Sequence, residues 1–377
     1  MTRLLITGGA GFIGTHLTRL AVEAGHEVRV LDNLSPQIHG PDPQFAAYDG
    51  VEFHHGSICC RTDLERALKD IDCVVHLAAE TGTGQSMYEI ERYYHVNVQG
   101  TALLLDILAN QPHSVSNIVL ASSRSVYGEG AYLCRSCDVN GMHCFPGARS
   151  PEQLAAHDWE PRCPNCGNET EPTATRETDQ LAPASIYAAT KLAQEDLVRV
   201  GARSLGIAHS ILRFQNVYGE GQSLNNPYTG ILSIFSTRIR LGLSLPIFED
   251  GLESRDFVHV EDVANVVLNC VDSPARSGVT LNVGAGQPTS VMAVAQLLST
   301  IMGSSIEPHV TGQYRVGDIR HNYADLTALQ SATGCQPSIS LELGLARFCA
   351  WVETQPIPED QLAKANAELA ARRLMGN

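Results

Sequence analysis

Residues 4–7 form an apolar run, and Thr7-Gly8-Gly9-Ala10-Gly11-Phe12-Ile13-Gly14 follows directly, with Gly8, Gly11 and Gly14 at three-residue spacing. Ile13, Leu17, Leu20, Ala21 and Ala24 then recur at helical spacing, and a second apolar run, 28–31, ends at Asp32. Strand, glycine turn, helix and strand in this order leave few folds open. The first glycine permits a tight turn, the second lets a pyrophosphate approach the backbone, and the third lets the helix pack on the strand. The helix amino terminus offers unpaired N–H groups to a phosphate. An acidic residue at the end of the second strand accepts hydrogen bonds from an adenosine ribose and repels a 2′-phosphate, which favours NAD over NADP. The plain alternative is a packing loop.

Further apolar runs at 74–78 and 118–122 continue the rhythm of buried strands and amphipathic stretches, which predicts a parallel sheet with right-handed crossovers. The formal charge is −15 and no basic run interrupts it, a field that repels nucleic acid. No stretch of eighteen apolar residues occurs, so no membrane span is expected. Leu4-Leu5-Ile6 runs straight into the glycine turn, with no secretory leader read ahead of it, so a cytoplasmic location is expected. There, eleven cysteines are poor candidates for disulfides, and clustered ones suggest metal.

Tyr187-Ala188-Ala189-Thr190-Lys191 sets a tyrosine and a lysine four apart, on one face of a helix. A phenol of pKa about 10 is a poor base at neutral pH. A neighbouring ammonium and a positive nicotinamide ring would favour the phenolate, which can take a proton from a sugar hydroxyl. Ala121-Ser122-Ser123-Arg124-Ser125-Val126-Tyr127-Gly128 stands at the carboxyl end of a predicted strand, where open α/β sheets place their ligands.

With the glycine turn, Asp32, His76-Leu77-Ala78-Ala79, Asn97 and Tyr187/Lys191 in this order, the chain resembles the extended short-chain dehydrogenase/reductase family. The resemblance continues through Asn216-Val217-Tyr218-Gly219, Arg255-Asp256-Phe257-Val258-His259-Val260 and Asn282-Val283-Gly284, and covers roughly residues 1–350 apart from one insertion. It implies an α/β fold: a Rossmann-type doubly wound parallel sheet with a smaller α/β substrate lobe. It also implies that Ser123 hydrogen-bonds the reacting hydroxyl, that Tyr187 is the acid/base, and that Lys191 holds the nicotinamide ribose. Contacts to NAD are expected from Gly8, Gly11, Phe12, Ile13, Gly14, Asp32, Asn33, Ser57, Ile58, Leu77, Ala78, Ala79 and Asn97. Asn216 would contact the diphosphate of a nucleotide sugar, with Arg255 and Arg320 neutralising it, unless the arginines are an ordinary solvated pair. A homodimer joined through helices at 90–109 and 187–205 is implied as well.

Two departures from the family are informative. Its sugar 4,6-dehydratases carry Asp-Glu directly after the serine or threonine and its decarboxylases a Glu, whereas this chain has Arg124 and Ser125. Those side chains cannot supply the second acid and base that loss of water needs, so dehydration and decarboxylation are disfavoured. The family also places an Asp near the end of its third strand for the adenine amine. Here the sequence is Gly56-Ser57-Ile58-Cys59, and Ser57 would accept that bond less strongly.

Between Tyr127 and Tyr187 lies about twice the usual length of chain, with Cys134-Arg135-Ser136-Cys137 and Cys163-Pro164-Asn165-Cys166-Gly167 inside it. Two Cys-x-x-Cys turns suit a tetrahedral zinc held by four thiolates, in a zinc-ribbon-like insertion at 131–176. Four protein ligands close the coordination shell, so the metal would be structural. Redox dithiols or free thiols are the competing readings, and Cys144, His143 and His157 are alternative ligands without a paired spacing.

The expected organisation is an NAD-binding domain at 1–130 and 177–217, to which 255–278 returns, and a substrate lobe at 218–254 and 279–355. A polar loop at 221–228 could line the nucleotide pocket. A loosely packed tail of no assigned function would occupy 356–377. The leading function is an NAD-dependent nucleotide-sugar 4-epimerase. Thr83-Gly84-Gln85-Ser86-Met87-Tyr88-Glu89 and the cysteine insertion resemble dTDP-L-rhamnose 4-epimerases, which would make dTDP-L-rhamnose and its C4 epimer, dTDP-6-deoxy-L-talose, the substrate pair. A reductase or dehydrogenase exchanging NAD(H) with solution is the alternative enzyme. A non-catalytic NAD-binding regulator is the alternative from another class, although such proteins typically lose the tyrosine or lysine kept here.

Overall fold

The computed structural model describes residues 1–40, 43, 49–137, 141–224, 230–273 and 278–377. Seven parallel strands form the central sheet: β1 (Arg3–Thr7), β2 (Glu27–Asp32), β3 (Val51–His55), β4 (Cys73–His76), β5 (Asn117–Ser123), β6 (Ala208–Phe214) and β7 (Val279–Val283). Their order is β7-β6-β5-β4-β1-β2-β3, so the winding reverses between β1 and β4 and opens a crevice at the carboxyl ends of those strands. The helices that matter here are α1 (Phe12–Glu23), α2 (Gly100–Asn110), α3 (Ile186–Leu205), α4 (Ile231–Arg240), α5 (Val260–Asp272), α6 (Val291–Ile301), α7 (Leu341–Thr354) and α8 (Leu362–Ala371).

The strands read as continuous apolar runs because both sheet faces are covered. Leu4, Ile6, Val28, Val30 and Val75 pack with Leu17 and Ala21 of α1 and Val263 and Val267 of α5. Their neighbours Leu5, Leu31 and Val74 turn to the other face and meet Leu104 and Leu108 of α2 and Val198 and Ala202 of α3. Ser185 starts α3 by accepting the Ala188 N–H at 3.1 Å, and Gly206, left-handed at φ 69°, ends it. The helix expected over 90–109 is interrupted: a π-helical turn, Tyr94–Gln99, separates a short helix at Ile90–Tyr93 from α2.

The smaller lobe has its own core. Leu232 and Phe235 of α4, Val294 and Leu298 of α6, and Phe348 and Val352 of α7 enclose Leu245, Ile247 and Phe257. Two sequence expectations change here. Residues 279–283 were assigned to this lobe, but they pair with Ser210–Phe214 of β6 and complete the main sheet. A short apolar run looks the same in either place, and only the pairing partner distinguishes them. The tail was expected to be loose, yet Leu362, Ala365 and Leu369 of α8 are buried and Met375–Gly376 pairs antiparallel with Tyr314–Arg315. No described helix is long and apolar enough to cross a membrane.

The insertion leaves the core after β5 and returns before α3. Its ladder is short: Tyr132–Leu133 runs antiparallel to Glu171–Pro172, and Tyr132 also bridges Cys144. Buried ion pairs fasten it to the lobe. Arg149 grips Glu249 through two bonds of 2.8 Å, and Glu160 accepts from Arg320 at 2.7 Å.

Candidate active site

The glycine turn has the shape its sequence implies. Gly8 sits at φ +71°, and a Cβ there would stand 2.8 Å from the Ala78 backbone. At Gly14 a Cβ would stand 2.5 Å from Gly9 Cα, so the third glycine is required by helix–strand packing. Gly11 precedes α1 without a side-chain cap, leaving the helix amino terminus open to an anion. The Asp32 carboxylate reaches the turn from β2, accepting the Ala10 N–H at 3.1 Å and the Leu34 N–H at 2.9 Å.

A cavity of about 530 Å³ runs along the crevice. Its wall carries Gly8, Gly11, Phe12, Ile13, Gly14, Asp32, Asn33, Ser57, Ile58, Leu77, Ala78 and Ala79, together with Ser123, Tyr187, Lys191 and Asn216. A glycine cradle, an open helix terminus and an acidic strand end at one extremity fit an NAD dinucleotide, with the tyrosine, serine and lysine at the other. A second cavity of about 200 Å³ adjoins it and shares Asn216, Gln222 and Gly230. Arg255 is on its wall, with Glu253, Phe248, Arg315 and Leu362. Of the polar loop at 221–228, expected to line the nucleotide pocket, residues 225–228 lie outside the described residues, whereas Gly221, Gln222 and Ser223 stand on the wall of the first cavity.

Two expected ligand contacts are not on either wall. Asn97 is fully buried behind the first cavity, where its Oδ1 accepts the Glu80 N–H at 2.8 Å and its Nδ2 donates to Thr190 Oγ1 at 3.0 Å. It secures the loop after β4 against α3 instead of touching the cofactor space. Arg320 is 0% exposed and spends its guanidinium on Glu160, Glu249 and Asp250. Internal carboxylates consume its charge, so it has none left for a diphosphate.

Lys191 donates from Nζ to the Ala121 carbonyl at 3.0 Å. Burial pulls it down to about 7 against the opposing pull of Glu195. Glu195 is itself held by Arg213 at 2.9 and 2.7 Å and by Ser122 at 2.5 Å. Burial pushes the Tyr187 phenol above its ordinary value, and a hydrogen bond with Ser123 and the charge of Arg124 oppose that push. The sequence pointed to Lys191 as the cation favouring phenolate. In the structure Arg124 also acts on Tyr187 as a cation, a residue that sequence reasoning noted only for not being a carboxylate. Its place beside Ser123 was the available signal. Nothing local marked Arg315 or Leu362, since the fold brings them in from far along the chain.

In the insertion, the sulfurs of Cys134, Cys137, Cys163 and Cys166 all lie within 4.8 Å of one another. Cys134–Cys166 measures 3.5 Å and Cys163–Cys137 3.9 Å. Thiolates at about 2.3 Å from one tetrahedral metal stand about 3.8 Å apart, so the set fits such an ion. The N–H groups of Asn165 and Cys166 pull the Cys163 thiol down to about 6, towards the thiolate a metal needs. His143 pairs with Asp179 at 2.9 Å and His157 stacks on Trp159, so neither joins the group.

Residues 4–144 and 164–284 match the NAD dependent epimerase/dehydratase family, leaving 145–163 of the insertion unmatched. The chain is 38% identical to dTDP-L-rhamnose 4-epimerase of Burkholderia thailandensis, over 93% of this chain and 94% of that one. Among solved structures it is similar to UDP-glucose 4-epimerase with UDP-glucose from Thermotoga maritima. The TM-score is 0.75 at 28% identity, covering 93% of this chain and 98% of that chain. It is likewise similar to MoeE5 in complex with UDP-glucuronic acid and NAD, with TM-score 0.73 at 29% identity, covering 93% and 99%.

Proposed function

Because the chain belongs to the NAD dependent epimerase/dehydratase family, we propose that it is a nucleotide-sugar 4-epimerase acting on dTDP-L-rhamnose and its C4 epimer. One observation carries the reading. Ser123, Tyr187 and Lys191 meet in one cavity whose acidic wall residues are Asp32, at the far end, and Glu80, which is paired with Arg92 at 2.8 Å. The carboxylates that dehydration would need beside Ser123 are replaced by Arg124 and Ser125.

NAD, when bound, accepts the C4 hydride and returns it. The chain supplies everything else. Tyr187 takes the O4 proton and gives it back, Ser123 orients that hydroxyl, and Lys191 holds the ribose beside them. Asn216 and Arg255 hold the diphosphate from the adjoining cavity, leaving the sugar free to present either face. The four thiolates of Cys134, Cys137, Cys163 and Cys166 hold a structural zinc. The exposed Ile90, Tyr94 and Val200 lie on the segments expected to pair in a homodimer, which supports that assembly. No disulfide joins the described cysteines.

Purified protein given dTDP-L-rhamnose and no added NAD should produce a mixture of C4 epimers by proton NMR. Tyr187→Phe should slow this by about 100-fold or more while NAD is still recovered from the denatured protein. An unchanged spectrum from NAD-loaded wild type rejects this substrate in favour of UDP- or GDP-sugars. Turnover only with stoichiometric added NAD(H) rejects the epimerase for a dehydrogenase.

A further inference from the structure

Arg124 is the least explained residue of the site. It follows Ser123 at the start of the 3₁₀ turn Arg124–Tyr127 that leaves β5, and it stands on the wall of the first cavity. Other guanidinium groups nearby have carboxylate or carbonyl partners. Arg213 holds Glu195, Arg149 holds Glu249, and Arg320 holds Asp250 and Glu160. Arg255 donates to the carbonyls of Ser254, Ile319 and Arg320. Arg124 makes no hydrogen bond or ion pair with any described residue.

Arg124 is half-buried, and its donors are left to whatever fills the cavity. Burial, with the repulsion of Arg255 added, pulls Arg124 down to about 10, and Asp318 and Glu129 act on it only from Coulombic range. A half-buried cation on a cavity wall, without protein acceptors, takes them from what occupies the cavity. The space it faces is the one Ser123 and Tyr187 face. A sugar placed for proton transfer to Tyr187 offers the two things a guanidinium fork takes: vicinal oxygens and developing negative charge.

We propose that Arg124 is a further catalytic residue, hydrogen-bonding the reacting sugar beside C4 and stabilising the negative charge that Tyr187 and O4 share as the proton passes between them. This rests on the epimerase reading above. In the forward half-reaction the O4–H bond breaks and its proton goes to the Tyr187 oxygen, the C4–H pair goes to bound NAD, and the C4=O bond forms. The return half-reaction reverses each transfer. Arg124 exchanges no proton and supplies only charge and donors. The groups facing Tyr187 are Ser123, Arg124, Lys191 one turn along α3, and Tyr93, whose own ionisation is coupled to it and to Glu80, Arg92 and Glu89. Those facing Arg124 are Arg255, Asp318, Glu129 and Tyr187.

The test compares NAD-loaded wild type with Arg124→Met, Arg124→Gln and Arg124→Lys. In the neutral variants kcat should fall about 100-fold or more, with KM changed less than about threefold. Tyr187 acts as phenolate, so losing the nearby cation raises its pKa and moves the acid limb of the kcat–pH profile to higher pH. Arg124→Lys should keep that limb near its wild-type position. A substrate-free readout runs beside it: the near-ultraviolet tyrosinate titration that Tyr187→Phe removes should move the same way. An unmoved limb and an unmoved tyrosinate titration in the neutral variants would overturn the proposal. So would a rise in KM at constant kcat, which would make Arg124 a ground-state diphosphate clamp. If wild type fails to epimerise dTDP-L-rhamnose, that substrate is rejected, and the tyrosinate titration still decides whether Arg124 acts on Tyr187. Bound NAD in each variant certifies folding, and Gln substitutes for Met if Met does not fold.

Discussion

His76, at the end of β4, lies between Thr7 Oγ1 at 2.8 Å and Thr101 Oγ1 at 3.0 Å and is 1% exposed. Burial, with the Lys191 charge added, pulls it from 6.5 down to about 3. The unfolded chain therefore binds this proton at a pH where the folded chain does not. Stability owed to His76 is complete above about pH 6.5 and is lost as pH falls towards 3, at up to about 1.4 kcal/mol per pH unit. Urea midpoints between pH 6 and 4 should fall less steeply for His76→Asn than for wild type, and parallel slopes would reject the assignment. The glycines of the first turn are set by sterics at the same scale. A Cβ at Gly8 or Gly14 meets backbone, which cannot step aside as a flexible side chain can.

At the scale of elements, the π-helical turn at Tyr94–Gln99 and the cysteine insertion each position something distant. The turn carries Asn97, whose grip on Glu80 connects the loop after β4 to α3, the helix bearing Tyr187 and Lys191. The insertion has little apolar content; Leu154 and Tyr132 are among its few buried large side chains. Its order should depend on the four cysteines. Metal analysis should find about one zinc per chain, and chelation or Cys163→Ser should lower Tm. Arg149 and Glu160 clasp Glu249 and Arg320 behind the second cavity, so metal loss should also raise KM for the nucleotide sugar. Protein free of zinc with unchanged melting under chelation would reject the metal.

For the whole molecule, the second cavity lies where core, lobe and tail converge. Leu362 of α8 is on its wall, and Arg315, also on the wall, belongs to the short strand that Met375–Gly376 pairs with. On the core side, Tyr88 reaches the tail through Glu368 at 3.1 Å and beneath Arg372 at 4.0 Å. The tail thus ties the loop that carries residues 83–89 to the substrate lobe. Truncation after Gln355 should raise KM for the nucleotide sugar by about tenfold while NAD stays bound, because the glycine turn and the tail share no wall. Steady-state kinetics together with cofactor recovery read the two effects apart. Unchanged KM would mean that the tail only covers the surface.

The sequence by itself determined what depends on neighbours along the chain. Glycine conformations, the Tyr187–Lys191 spacing and the two Cys-x-x-Cys turns are local, and the structure has them where the residues imply. Parallel pairing was legible too, because strands buried on both faces must be apolar throughout. Tertiary structure alone decided where charges end. Arg255 and Arg320 read alike in sequence, yet one reaches a cavity wall and the other is enclosed by Glu160, Glu249 and Asp250. Asn97 turned from ligand contact to loop anchor, residues 279–283 moved into the main sheet, and the tail became a wall. Each of these depends on a partner tens to hundreds of residues away. Electrostatic pairing and packing act through space, so no window along the chain contains them.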